Sequence, residues 1–193
     1  VTFTPGPASA GQSSLTAAPA SVVADAIEAS QYPEALRDQF GNLVAGKQVT
    51  VTFESSYPVT LTQPLSLTNA SGWITGTVRS THEQTITLRA YDVTDNVTVT
   101  QTAEVNFSLV DPTRSLVEAA PHTLVADGLS TSAITVTLIN RLVGPLEGKS
   151  VLVTANCAAC SLGARRAIGP IEIGPTGPDG VATATLSSTA VEQ

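Results

Sequence analysis

Few side chains in this 193-residue chain could do chemistry. His82 and His122 are the two histidines, one after the Ser80-Thr81 strand end and one beside a linker Pro. Neither stands in H-E-x-x-H or another metal-ligand spacing, and no G-x-S-x-G elbow, P-loop or G-x-G-x-x-G is present. The expected catalytic, cofactor-binding and metal-binding residues are therefore none, and the chain is read as non-enzymatic without a cofactor. Asp92, Asp95 and Asn96 carry hard oxygen ligands that suit calcium. The same residue types build ordinary turns, which is the reading preferred here.

Cys157 and Cys160 form a single C-x-x-C. A redox pair opens a helix after a strand, where the helix terminus lowers the thiol pKa. Here Ala158-Ala159 fill the gap and Ser161-Leu162-Gly163 follow, with no helical pattern behind. A zinc ribbon needs a second pair. A short local disulfide, free thiols, and redox or metal chemistry all stay open, and the surroundings favour the disulfide. That bond would mark an oxidising compartment.

Arg165 and Arg166 stand beside a Gly- and Pro-rich stretch, Gly169-Pro170 through Gly174-Pro175-Thr176-Gly177-Pro178-Asp179-Gly180, which reads as a rigid, turn-rich loop. They are the candidate binding loop, since loops on rigid scaffolds carry binding. Asn69, Asn96 and Asn106 open N-x-S/T triplets, which matter only if the source organism glycosylates its surface proteins. Trp73 stands at a strand start and is expected to pack in the core rather than to stack on a sugar.

Composition narrows the classes further. Hydrophobic residues make up 42%, aromatic 4% and charged 13%, which is neither the charge-rich profile of disorder nor that of a coiled coil. No apolar run approaches the roughly 18–20 residues of a membrane-crossing helix. The net charge is −7, and the lysines Lys47 and Lys149 lie far apart, so a nucleic-acid partner is not expected. The chain opens on Val1 and has no Met, as expected of a processed product or a piece of something longer.

An internal repeat organises the rest. One constant offset lays Ala17-Ala18-Pro19 on Ala119-Ala120-Pro121, Val23-Ala24-Asp25 on Val125-Ala126-Asp127, and Gly46-Lys47 on Gly148-Lys149. A six-residue insertion then shifts the register, and Gly72–Thr81 falls on Gly180–Thr189. A period near 100 residues is one domain. Within each copy, runs such as Ile134-Thr135-Val136-Thr137-Leu138, Val49-Thr50-Val51-Thr52-Phe53 and Val97-Thr98-Val99-Thr100 alternate apolar residues with Thr, as half-buried strands do. Six or seven short strands in about 95 residues point to a two-sheet sandwich. Pro33 suggests an edge position or a bulge in the second strand.

The fold class is therefore all-β: two tandem immunoglobulin-like β-sandwiches, the second lacking its last strands. The expected domains are 1–12, a closing strand of a preceding domain plus linker; 13–110, the first sandwich; and 111–193, the incomplete second one. The junction, Leu109 to Ser115, is short and free of Gly, so it should be stiff and make a rod. Val1-Thr2-Phe3-Thr4 resembles Val105-Asn106-Phe107-Ser108, the closing strand of the first domain. Val1 and Phe3 are thus candidates for strand exchange with another copy, beside the plainer reading of a fragment of a longer array.

The residues resemble a known family, the bacterial Ig-like repeats of the invasin and intimin type. Val125-Ala126-Asp127-Gly128, the stretch Asp38-Gln39-Phe40-Gly41-Asn42-Leu43-Val44-Ala45-Gly46-Lys47-Gln48-Val49, and the strand Gly180-Val181-Ala182-Thr183-Ala184-Thr185-Leu186-Ser187-Ser188 carry the likeness. Domain two departs from it at Arg141–Pro145, where the Gly-Asn turn is lost. The resemblance implies extracellular repeats that hold a binding tip away from a bacterial surface, with protein partners. It implies that a membrane is met only through other parts of a parent chain. Three functions fit: a spacer of a bacterial cell-surface or secreted adhesin, a subunit of an extracellular filament joined head to tail, or an accessory module of a secreted carbohydrate-active enzyme.

Overall fold

The computed structural model describes residues 1–167 and 169–191, and those residues form strands, turns and loops without a helix. Two compact units divide the chain, Val1–Leu109 and Val110–Gln193.

Unit 1 contains β1 (Ser14–Leu15), β2 (Ser21–Val23), β3 (Ser30–Ala35), β4 (Val49–Glu54), β5 (Val59–Thr62), β6 (Trp73–Ser80), β7 (Gln84–Asp92), β8 (Val97–Thr98) and β9 (Ala103–Ser108). One sheet has the order β1-β3-β6-β5 and the other β2-β9-β7-β4, with β8 folded back on β7. The alternating sequences are what make these sheets two-faced. Ile86, Leu88 and Ala90 of β7 point inward, as do Val49 and Val51 of β4 and Val105 and Phe107 of β9. Tyr32, Leu15 and Val78 of the first sheet meet them in one core.

Unit 2 contains β10 (Leu116–Ala120), β11 (Ser132–Thr137), β12 (Ile139–Asn140), β13 (Gly144–Pro145), β14 (Ser150–Val153), β15 (Cys160–Leu162), β16 (Arg165–Arg166), β17 (Ile171–Pro175) and β18 (Val181–Ser188). Its main sheet runs β10-β11-β18-β15-β16, while β12 pairs with β13 and β14 with β17. Four strands of the main sheet, β10, β11, β18 and β15, repeat β1, β3, β6 and β5, and β14 repeats β4; strand counterparts of β2, β7, β8 and β9 are absent among the described residues.

The repeat is legible in single hydrogen bonds. The Thr68 hydroxyl donates to the Val44 carbonyl and accepts from the Lys47 N–H, both at 2.9 Å. Its backbone N–H donates to Lys47 O, and its carbonyl accepts from Gly46 N–H. Thr176 makes the same four bonds to Leu146, Lys149 and Gly148. Asp25 Oδ1 accepts from Ile27 and Glu28, and Asp127 Oδ1 from Leu129 and Ser130. Ser9 N–H donates to Arg37 O as Asp111 N–H donates to Ile139 O, so the shared frame reaches upstream to Ser9 and Asp111.

Four sequence expectations change. Pro33 is on neither an edge nor a bulge: β3 lies between β1 and β6. The Pro33 carbonyl accepts from Thr16 N–H, so its nitrogen faces the β1 side, where the missing donor leaves a gap between the Leu15–Glu34 pair and the Ala18–Gln31 bridge, and the β6 pairing is continuous past it. Trp73 is not core. It is 39% exposed, because the pleat of β6 turns Ile74 inward and its neighbour outward. The stretch after Gly169 is not all loop, since Ile171-Glu172-Ile173 keeps enough alternation to pair with β14. Arg165 and Arg166 likewise form a strand, β16, and not a loop.

One core contact separates the units. Tyr32 lies opposite Gly76 in the β3–β6 register, and Ile134 lies opposite Ala184 in β11–β18. A Cβ on Gly76 would stand 2.0 Å from the Tyr32 phenol oxygen and 2.3 Å from Thr62 O, the carbonyl to which that phenol donates. The large ring has room only because its partner has no side chain. Gly76→Ala should therefore destabilise unit 1 by roughly 1–3 kcal/mol. Adding Tyr32→Ile, the pairing of the other unit, should recover much of that loss in urea unfolding followed by Trp73 fluorescence.

Candidate functional site

The turns consume most of the polar side chains that sequence alone offers for chemistry. Asp38 is nearly fully buried at the start of the β3–β4 connection. Its Oδ1 accepts from the N–H groups of Phe40 and Asn42, and its Oδ2 accepts from Asn42 Nδ2 and Gly6 N–H. The Asn42 side chain, with those backbone donors, holds this carboxyl at about 2. In unit 2 Asn140 takes the position, and its Oδ1 accepts from Leu142 and Val143. An amide oxygen thus preserves the tight connection where the Gly-Asn turn is lost.

Asp92, Asp95 and Asn96 shape the β7–β8 hairpin. Asp92 Oδ1 accepts from Thr94 and Asp95, Asn96 takes a positive φ of 59°, and Asp95 is ion-paired with Lys47 at 2.6 Å. Among the described residues no group of three or more His, Cys, Asp or Glu could hold a metal ion. His82 stacks on Tyr57 with ring centroids 4.9 Å apart, in unit 1; His122 is exposed in unit 2. Asn69, Asn96 and Asn106 are all exposed, and Asn69 Oδ1 caps its own turn through Ser71 and Trp73.

The N-terminal segment divides in two. Val1 and Phe3 form no strand in this chain and are 115% and 91% exposed. From Gly6 the backbone is tied to unit 1: Gly6 N–H to Asp38 Oδ2 at 3.0 Å, Ala8 N–H to Asp95 Oδ2 at 2.8 Å, and Thr100 N–H to Ala10 O at 3.0 Å. The expected linker is therefore held by two carboxylates, a fixture that the Pro-Gly-Pro composition did not suggest.

In unit 2, Cys157 and Cys160 are joined by a disulfide, and Cys160 enters the core beside Ile134 and Leu162. Arg165 and Arg166 are exposed on the outermost strand of the main sheet, and an Arg166 guanidinium nitrogen donates to Ala158 O inside the disulfide loop at 3.2 Å. Unit 2 is open where the counterpart of β2 would lie. Val22 and Val23 of β2, beside β9, are each 5% exposed, whereas their counterparts Leu124 and Val125 are 39% and 69% exposed. They line a groove of about 440 Å³ with Ala155, Cys157, Leu186 and Val191.

Two sandwich units sharing one hydrogen-bond frame define a tandem Ig-like repeat protein. Residues 12–108 match the family described as the bacterial Ig-like domain, group 1. The chain belongs to that family. A sequence search of the curated proteins found no match. Among solved structures the chain is similar to the Escherichia coli adhesin FdeC at 18% identity and TM-score 0.51, over 94% of this chain and 56% of that one. It is similar to invasin, described as a bacterial integrin-binding protein, at 21% identity and TM-score 0.49, over 98% of this chain and 37% of that one. The Yersinia pseudotuberculosis adhesin InvE follows at 22% identity and TM-score 0.48, over 95% and 53%. This chain thus spans between about a third and somewhat over half of those chains, and the likeness to FdeC bears on fold alone.

Asp38→Ala should speed amide exchange at Gly6, Phe40 and Asn42. Leu142 and Val143, bonded to Asn140, should stay as protected as before, which makes unit 2 the internal control in one exchange experiment.

Proposed function

We propose that this chain is a structural spacer segment of a bacterial cell-surface or secreted adhesin, extracellular and non-catalytic. The reading rests on one observation above others: both units spend equivalent Thr, Asp and Ser side chains (Thr68 and Thr176, Asp25 and Asp127, Ser13 and Ser115) on the same turn and loop bonds. A scaffold copied in tandem with its polar groups turned to its own backbone provides length and stiffness rather than a reactive centre. Family membership and the adhesin names among the structural neighbours support it. Invasin is described as integrin-binding, so protein is the partner class that the parent adhesin would meet. Labelled chain added to cultured mammalian cells should show no saturable binding. Saturable binding that competes with unlabelled chain would make this segment a receptor-binding tip and end the spacer reading.

A second reading is favoured by the exposure of Val1 and Phe3 together with that of Leu124 and Val125. In unit 1 the strand β9, whose sequence Val1–Thr4 resembles, pairs in parallel with β2, where Val22 and Val23 are buried. Val1–Thr4 of one copy laid along Thr123–Val125 of another would string copies into a filament. Sedimentation of this 193-residue chain should then show concentration-dependent assembly that Phe3→Asp abolishes. A monomer at every concentration sinks this reading.

A further inference from the structure

Two buried carboxyl groups in unit 1 carry oxygens that neither the turns nor the ion pair use. Glu34 of β3 lies opposite Leu15 of β1 and Ile74 of β6. It is fully buried, and neither carboxyl oxygen has a hydrogen-bond partner. Asp92 ends β7 in the facing sheet, opposite Val49 of β4 and Val97 of β8, and is fully buried too. Its Oδ1 is used by the Thr94 and Asp95 N–H groups; its Oδ2 has no partner. The repeat puts a buried Val136 where Glu34 stands, so the fold itself asks only for an apolar side chain there.

A lone ionised carboxylate in such a core is very costly, and two that feel each other's charge resist ionising together. We propose that buried, unpartnered Glu34 retains its proton at neutral pH, which makes unit 1 a sandwich whose stability falls as pH rises through neutrality. Burial, and then the charge of Asp92, push Glu34 up to about 8. Burial also raises Asp92, against the pull of the Asp95 and Thr94 N–H groups. The other ionisable groups nearby do not supply a counter-charge to Glu34. Tyr32, two residues along β3, is pushed up to about 12 by burial and then by Glu34, so it stays neutral. Lys47 acts on Asp92 but is bonded to Asp95, whose own charge opposes it there.

The sign follows from linkage. Glu34 titrates higher in the folded state than its ordinary value of 4.5, so its favourable contribution is complete below that value. It is lost progressively as pH rises toward about 8. For one proton the ceiling is about tenfold in the unfolding constant per pH unit within that window.

Trp73 is the one tryptophan and sits on β6, so its fluorescence reports unit 1 within the whole chain. Urea unfolding at several pH values between about 5 and 8 should show the midpoint falling as pH rises. Glu34→Gln, which cannot ionise, should flatten that dependence and match or exceed the parent at the alkaline end. Should the amide not fold, Glu34→Val, the residue used by the other unit, serves the same purpose. A parent midpoint that is flat or rises across the window overturns the proposal. An unchanged slope in the folded variant overturns it equally.

Discussion

Each unit is closed by a buried threonine, Thr68 or Thr176, whose four hydrogen bonds join the loop entering the second sheet to the segment leading into the first sheet's central strand. Loops buried at that point would leave backbone donors and acceptors without water, and the hydroxyl with its own peptide group answers all of them at once. The β4 and β14 strands can then start with their Val residues facing inward, because the preceding Gly46 and Gly148 take positive φ values of 74° and 72°. The remaining architecture builds outward from this tie. It survives a six-residue insertion and the exchange of most surface residues.

Much of the fold was legible in the sequence because two physical signals coincide in it. Thr–Val alternation specifies half-buried strands, and recurrence of Asp, Gly and Thr at one offset specifies equal turns. The misreadings arise where a residue type outweighed its position. Trp73 at a strand start reads as core packing, yet its parity along β6, set by Ile74, decides which way it faces. Pro33 suggests an edge or a bulge by its missing donor, yet an interior strand absorbs that loss as one gap on the β1 side while the β6 pairing stays whole. Gly169–Gly180 was read by its Gly and Pro content, which hid the Ile171–Ile173 alternation.

The candidate site was less legible, for a reason specific to buried charge. Glu34 stands in an alternating run where the other unit has Val136, and only that comparison marks it as out of place. Its meaning depends on Asp92, on another sheet and far along the chain, and no local pattern links the two. The carboxylates that fix Gly6 and Ala8 are equally non-local. Side chains that serve nearby turns, such as Asp25 and Asp127, can be read from spacing; those that act across the sandwich cannot.

The pairing of Tyr32 with Gly76, set against Ile134 with Ala184, has a bearing on how adjacent repeats reach their separate native states. Neighbouring sandwiches with interchangeable cores risk docking a strand into the wrong copy while both are being made. Here a hybrid of β3 with β18 would drive a phenol into a methyl group, and β11 with β6 would leave a void beside a bare backbone. Unequal core volumes in consecutive repeats thus act as an address label, keeping each strand in the copy that encoded it.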